Sequence, residues 1–160
     1  MHAFINVWQK PSVNHKAKVR EFWLREKVVA EDQIRLRSEQ LVCLLTDEQD
    51  EIVGVTTAYE EQVDFLRHKM VMFRQYITPG ARNAWVPYEL ARESIDVLEG
   101  YYNDGKDGPL GIMTIIENDR MLKKNYAVWP RINLVYIGST ASGQHIRVRY
   151  FKHATLAHEH

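Results

Sequence analysis

The chain has 160 residues, 45% hydrophobic and 26% charged, a composition typical of a folded globular domain rather than a disordered chain. Its 21 basic and 21 acidic residues cancel, so we expect no global attraction to nucleic acid or to an anionic membrane. No apolar run approaches the roughly 20 residues of a membrane-spanning helix. The N-terminus lacks a secretory pattern, and the single cysteine, Cys43, excludes an internal disulfide framework. These features predict a cytoplasmic protein.

The first half of the sequence predicts one strand and two helices, followed by three strands. Short apolar runs and a β-branched run after a polar turn are typical of strands. Val19, Phe22 and Trp23 recur among charged residues, as in an amphipathic helix. In chain order the predicted elements are a strand at 3–8, helices at 13–29 and 31–38, and strands at 41–45, 52–59 and 69–78.

The second half contains the strongest helix signal in the chain. Leu90, Ile95 and Leu98 recur at helical spacing, and Pro87 suits the first helical position. The predicted elements are a helix at 87–102, a strand at 110–116, a short helix ending at 126, and strands at 132–137 and 145–151. The order predicts an α+β fold with a central mixed, mostly antiparallel sheet flanked by helices. We expect one domain over 1–152 and a flexible C-terminal tail over 153–160.

Charge is unevenly distributed along the chain. Residues 38–66 contain no lysine or arginine, and residues 120–158 contain no aspartate or glutamate. Two interpretations stay open: solvated surface, or two binding regions of opposite sign. The seven histidines show no metal-ligand spacing, so we expect no metal site. Cys43 lies inside an apolar run, which predicts an inert buried thiol.

The segments 51–56 (EIVGVT), 76–82 (YITPGAR) and 115–118 (IIEN) resemble motifs of the GNAT superfamily of N-acetyltransferases. The segment 51–56 (EIVGVT) is similar to the start of its third strand. The segment 76–82 (YITPGAR) is similar to the end of its fourth strand, and Leu90 follows Pro79 by the family's interval of eleven residues. The segment 115–118 (IIEN) is similar to the end of its fifth strand. Together with the order of elements, the resemblance covers most of the chain.

The resemblance implies an N-acyltransferase that uses acetyl-CoA or another acyl-CoA as co-substrate. The thioester would pair with the fourth strand, and a backbone amide near Ile77 would polarise its carbonyl. Candidate bases are Glu60 or Glu61 at the end of the third strand and Glu117 at the end of the fifth, and Tyr126 is the candidate acid for the leaving thiolate. The residues implied in donor binding are Tyr76, Ile77, Thr78, Arg82, Asn83, Ala84, Trp85, Val86 and Asn118.

The loop that would bind the donor diphosphate departs from the family pattern. Family members are glycine-rich there, so that free amides at a helix N-terminus receive the diphosphate. Here Trp85 adds bulk, Pro87 removes a donor, and Asn83 stands where glycine is common. The amides of residues 83–86, together with Arg82, would remain to bind phosphate. The basic 120–158 segment is a second candidate for that role.

Three functions therefore stay open. The first is acyl transfer from acyl-CoA to an amine, either a small molecule or a lysine side chain; the acidic 38–66 segment favours a cationic acceptor. The second is a catalytically inactive binding or assembly module. The third is acyl transfer from an acyl carrier protein, whose acidic surface would suit a basic face. A homodimer is a further open alternative, and neither nucleic acid nor membrane is expected as a partner.

Overall fold

The computed structural model describes residues 2–83, 85–102, 108–117 and 125–156. Three helices, one 3-10 turn and seven strands occupy these ranges. In chain order they are β1 Ala3–Asn6, α1 Val13–Glu26, α2 Glu31–Arg37, β2 Leu41–Thr46, β3 Ile52–Val63, β4 His68–Ile77, the 3-10 turn Pro79–Ala81, α3 Val86–Tyr101, β5 Gly111–Ile116, β6 Val135–Ser139 and β7 His145–Tyr150.

The strands form one seven-stranded mixed sheet in the order β1-β2-β3-β4-β5-β7-β6. The β1–β2, β2–β3, β5–β7 and β6–β7 pairs are antiparallel, whereas β4 and β5 are parallel. This confirms the predicted α+β class with a mixed, mostly antiparallel sheet. None of the helices in the described ranges is long and apolar enough to cross a bilayer.

Two strands and one helix differ from their predicted bounds by three residues or more. The helix, α1, ends at Glu26 rather than at residue 29, because Lys27 takes a left-handed backbone conformation. β3 continues to Val63 rather than ending at residue 59, and a turn at 64–67 with Arg67 at φ 61° leads directly into β4. β6 starts at Val135 rather than at residue 132, because Arg131 and Asn133 take left-handed backbone angles before it. Asn125 and Tyr126 are not helical, and the rest of the short helix predicted there lies outside the described residues.

The chain divides into two compact units. The first comprises Met1–Ala58 and Arg74–Leu98, and the second comprises Tyr59–Phe73 and Glu99–His160. In the first unit the apolar face of α1, with Val19, Phe22 and Trp23, packs with buried residues of β2 and β3. The core cluster of the second unit comprises Val63, Met70, Met72, Met113 and Val148.

A buried polar network fastens α3 to the strands of the first unit. Thr56 Oγ1 lies 2.8 Å from Ser94 Oγ of α3 and accepts a 2.9 Å hydrogen bond from the backbone N of Cys43. Such groups must be paired when they leave water. The Cys43 side chain is buried beside them, and its burial raises the pKa of the thiol. The structure thus confirms that the thiol is buried, as predicted.

Candidate active site

The end of β4 is firmly held in the first unit. Ile77 is buried, and the backbone N of Thr78 donates a 2.8 Å hydrogen bond to the carbonyl oxygen of Val53 in β3. A Cβ added to Gly54 would lie 3.2 Å from Ile77 Cγ1, so a small residue lets β3 approach this point. The glycine of the 51–56 motif therefore supports the strand end that the 76–82 motif forms.

The ladder between β4 and β5 is short. Val71 pairs with Ile112 and Met72 pairs with Met113, and β4 continues beyond them to Ile77. Tyr76 to Thr78 thus follow the last paired residue of β4 by at least four positions. Within the described residues, no strand β5 residue is in register with them. This end of β4 therefore lies outside the ladder with β5.

Arg82 folds back onto the end of β4. Its Nε donates a 2.6 Å hydrogen bond to the carbonyl oxygen of Ile77, and its guanidinium carbon lies 5.4 Å from the centre of the Tyr76 ring. The side chain is half-buried. Arg82, which is predicted to bind phosphate, therefore lies close to the predicted thioester-binding strand, and its charge is partly desolvated there.

The loop before α3 satisfies its own amides. The side-chain oxygen of Asn83 accepts hydrogen bonds from the backbone N of Trp85 at 3.2 Å and of Val86 at 3.1 Å. The backbone N of Asn83 donates to the carbonyl oxygen of Ala81 at 3.1 Å. Three of the four amides predicted to bind phosphate are thus engaged within the loop. The fourth, that of Ala84, lies outside the described residues.

Asn83 is in effect the capping residue of α3. Its carboxamide occupies amides at the positive end of the helix dipole, where an anion would otherwise bind. Pro87 has no amide to offer. Trp85, with 52% of its surface exposed, lies in the same loop. For a diphosphate to bind here as in the family pattern, the Asn83 side chain has to leave the helix end.

A residue that the sequence analysis missed, Glu26, contacts this strand end. The hydroxyl of Tyr76 donates a 3.4 Å hydrogen bond to Glu26 Oε1 at the C-terminus of α1. Burial is the main cause of a raised pKa for Tyr76; the Glu26 charge raises it further, while Arg82 opposes the shift. The two residues lie 50 positions apart. No local sequence pattern links them, so only the fold reveals the contact.

The catalytic candidates Glu61, Glu117 and Tyr126 all belong to the second unit. Glu61 is exposed within β3, and Glu117 is exposed directly after β5. Tyr126 has 69% of its surface exposed. Burial raises the pKa of Tyr102 to about 12, and the charge of Glu60, beside Glu61, is the second cause of that rise. Each carboxylate is accessible to solvent, whereas Asn118 lies outside the described residues.

At two positions the basic 120–158 segment carries arginines that are bonded to other groups of the protein. Arg147 is fully buried, and its guanidinium carbon lies 4.1 Å from the centre of the Trp129 indole. It donates hydrogen bonds to the carbonyl oxygens of Tyr126 at 2.8 Å, Leu134 at 3.2 Å and Ala127 at 3.4 Å. Of the two interpretations left open for this segment, neither a solvated surface nor a binding region describes Arg147.

Arg149 is also used inside the second unit. It lies 3.5 Å from Glu99 Oε1 and 3.3 Å from the carbonyl oxygen of Ile132. Glu99 Oε2 in turn accepts a hydrogen bond from the backbone N of Lys152 at 3.0 Å. Within the described ranges, no group of three or more histidine, cysteine, aspartate or glutamate residues is arranged to hold a metal ion.

Solved structures of low sequence identity share this fold. A phosphinothricin acetyltransferase of the GNAT superfamily from Sinorhizobium meliloti, in complex with acetyl-CoA, superposes with a TM-score of 0.67 at 15% identity, over 96% of this chain and 90% of that one. A GNAT-family acetyltransferase from Streptococcus pneumoniae gives 0.63 at 10% identity, over 94% and 99%. One from Brucella melitensis, also in complex with acetyl-CoA, gives 0.57 at 9% identity, over 99% and 94%.

No protein-family model and no curated protein matches the chain at the level of sequence. The agreement in three dimensions nevertheless extends over nearly the whole chain for each of these structures. The chain therefore has the GNAT fold, as the motifs at 51–56, 76–82 and 115–118 predicted.

Proposed function

We propose that the chain is an N-acyltransferase that moves an acetyl or other acyl group from an acyl-CoA thioester to an amine. The observation that supports this most is the end of β4, which continues past its ladder with β5 and is held by Thr78 and Arg82. A thioester with its pantetheine amide groups is an extended ligand that suits such a strand end. The shared fold of acetyltransferases bound to acetyl-CoA supports the same donor.

In this mechanism the amine nitrogen attacks the thioester carbonyl carbon to form the new C–N bond. The backbone N–H of Ile77 stabilises the oxyanion that develops. Glu61 or Glu117 accepts a proton from the amine, either directly or through water. Collapse of the tetrahedral intermediate breaks the C–S bond, and Tyr126 donates a proton to the leaving thiolate. A fold shared by many activities does not by itself prove chemistry, so each role requires its own test.

The Asn83 contacts favour a second candidate donor. An acyl carrier protein presents its acyl group on phosphopantetheine, which lacks the 3′-phosphoadenosine monophosphate portion of CoA and so carries a single phosphate instead of a diphosphate. A loop whose amides at Trp85 and Val86 already have a partner suits such a donor better than a diphosphate. The inactive binding module remains the third candidate, and catalytic activity distinguishes it from the other two.

Acetyl-CoA binding and turnover test the proposal together. At a hundredfold excess over its Kd, acetyl-CoA should stabilise the protein by about 2.7 kcal/mol, measured as a rise in the thermal midpoint. Release of free CoA thiol in the presence of an amine should accompany that rise. Arg82→Ala should reduce both signals, because it removes the cation beside the Ile77 carbonyl.

The matched control is Arg92→Ala. Arg92 is an exposed arginine of α3 in the same unit, so its loss changes the net charge equally without altering the end of β4. Binding without amine-dependent thiol release would support the inactive module. If the protein shows no binding and no turnover at millimolar acetyl-CoA, that result contradicts acyl transfer from acyl-CoA.

A further inference from the structure

Phe22 and Glu26 lie on one face of α1 and contact the same side chain. They are four residues apart, which places them one above the other on a helix. The Phe22 ring centre lies 5.9 Å from that of Tyr76, and Glu26 Oε1 accepts the hydrogen bond from the Tyr76 hydroxyl. Phe22 is buried, so its packing fixes the direction of the Tyr76 ring. The position of the Glu26 carboxylate is thus set relative to the end of β4.

Glu26 occupies a position where the dipole of its own helix disfavours a negative charge. As the last residue of α1 it lies at the negative end of the helix dipole, where lysine and arginine are favoured. Arg25 in the same last turn of α1 and Arg35 and Arg37 in the last turn of α2 follow that rule, whereas Glu26 does not. A carboxylate at the C-terminus of α1 lowers helix stability, so its presence there requires a reason other than helix formation.

The carboxylate also lacks a cationic partner among the described residues. Glu26 is half-buried, and its hydrogen bond is to the neutral hydroxyl of Tyr76. No described lysine or arginine lies within ion-pair distance of it. Partly buried carboxylates are normally paired with a positive charge, and an ionised carboxylate has several further lone pairs to offer.

We propose that Glu26 binds the ammonium group of a cationic acceptor, with Tyr76 holding its carboxylate next to the end of β4. Tyr76 is adjacent in sequence to Ile77, whose amide is assigned to the thioester carbonyl. An ammonium paired with Glu26 would therefore lie beside the strand that presents the acyl group. This inference rests on the proposed function and names its acceptor class. The acceptors are amines that are positively charged when they bind, either on a second ammonium group or on the reacting amine before it loses its proton. Tyr76 is a positioning residue in this arrangement.

Steady-state kinetics of Glu26→Gln test the proposal. The acceptors are spermidine, lysine amide and a tripeptide with a free N-terminus, each assayed by thiol release from acetyl-CoA. Removing a charged hydrogen-bond partner should raise the KM of the best cationic acceptor about tenfold or more. The KM of acetyl-CoA should stay unchanged. The rate with hydroxylamine, a nucleophile that is uncharged at neutral pH, should also stay unchanged.

Two further variants separate recognition from folding. Glu21→Gln removes an exposed glutamate from the same helix, and its kinetics should match the wild type. Tyr76→Phe keeps the ring that packs on Phe22 and the Glu26 charge, and it removes the hydroxyl that orients the carboxylate. It should raise the KM of the cationic acceptors by about threefold more than that of hydroxylamine.

The outcomes separate this inference from acyl transfer itself. If the wild type acetylates a cationic amine and Glu26→Gln has the acceptor KM of Glu21→Gln, the role of Glu26 is overturned while acyl transfer stands. If the wild type transfers the acyl group to no amine, the proposed acyl transfer is contradicted. The role of Glu26 is then tested by calorimetric binding of the same three amines to the wild type and to Glu26→Gln. Binding weakened only in Glu26→Gln supports the ammonium site. Absent or equal binding overturns it.

Discussion

Two regions of the molecule carry arginines that, in the sequence, suit an anion site. The first is the connection between β4 and α3 in the first unit, with Arg82 and Asn83. The second is the 126–152 segment of the second unit, with Arg147 and Arg149. Arg82 is half-buried and bonds a strand-end carbonyl, whereas Arg147 is fully buried among three carbonyl oxygens and an indole ring.

The difference shows which contacts a ligand can replace. The Asn83 carboxamide belongs to an exposed residue, so water can solvate it once a phosphate has taken its amides. If Arg147 turned toward a ligand, its fully buried guanidinium would leave its site and the buried Leu134 carbonyl would lose its donor, which costs about 1–3 kcal/mol for that group. The first region can exchange partners and the second cannot. We therefore propose donor binding at the connection between β4 and α3 rather than at Arg147.

The largest expected effect is on stability, from Arg147→Leu. The substitution removes the donors of three carbonyl oxygens, and we expect it to lower the free energy of unfolding by about 3–5 kcal/mol. Arg82→Leu removes one hydrogen bond at a half-buried site and should cost about 1 kcal/mol. Urea denaturation of both variants measures the difference. Equal losses would contradict the contrast between a structural and an exchangeable arginine.

A pair of glycines gives the next largest effect. A Cβ at Gly111 would lie 2.5 Å from the carbonyl oxygen of Arg149 and 2.7 Å from the Cα of Tyr150, so β5 and β7 would have to move apart. We expect Gly111→Ala to lower the unfolding free energy by about 2–3 kcal/mol.

The matched variant in the first unit is Gly54→Ala. Its Cβ would meet side-chain atoms of Leu45 and Ile77 at 3.1–3.2 Å, and those atoms can shift. The expected loss is about 1 kcal/mol. A larger loss for Gly54→Ala than for Gly111→Ala would show that the end of β4 is the more rigid of the two regions.

The smallest effect concerns alkaline pH. Burial, followed by the charge of Glu60, raises the pKa of Tyr102 from 10.0 to about 12. Between those pH values the unfolded chain loses the phenol proton while the folded chain keeps it, so stability falls as pH rises. Tyr102→Phe should therefore show a shallower fall of the thermal midpoint between about pH 10 and pH 12. An identical fall in the wild type and the variant would contradict the shift.

Much of the fold was predictable because its signals are local. The spacing of Leu90, Ile95 and Leu98 and the proline-glycine stop after β4 located α3 and the candidate donor site. The end of β3 was misplaced because the β3–β4 turn decides it, and residues 60–62 are exposed without apolar alternation. The start of β6 was misplaced because the left-handed angles of Arg131 and Asn133 left no compositional signal.

The candidate site was only partly predictable because its main contacts are long-range. The motif at 76–82 identified Arg82, but no pattern joins Tyr76 to Glu26 in α1. Arg147 and Arg149 alternate with apolar residues along β7, a local pattern that does not identify their partners. Those partners, Trp129 and Glu99, are 18 and 50 positions away in the sequence. The roles of Glu61, Glu117 and Tyr126 stay predictions.

The central claim is that the thioester binds at the end of β4 while Asn83 competes with the donor diphosphate for the amides of Trp85 and Val86. Comparing acetyl-CoA with S-acetyl-pantetheine, which has the same thioester arm and no diphosphate, isolates that competition. Asn83→Gly removes the competing carboxamide and keeps the loop permissive, at a small cost in helix capping.

The decisive measurement is the ratio of kcat/KM for acetyl-CoA to that for S-acetyl-pantetheine, in the wild type and in Asn83→Gly. Two charge-assisted hydrogen bonds to a freed diphosphate site should raise this ratio by about tenfold to a hundredfold in the variant. The account predicts a ratio within about tenfold of unity in the wild type and that increase in Asn83→Gly. A strong preference for acetyl-CoA in the wild type that Asn83→Gly leaves unchanged would contradict it.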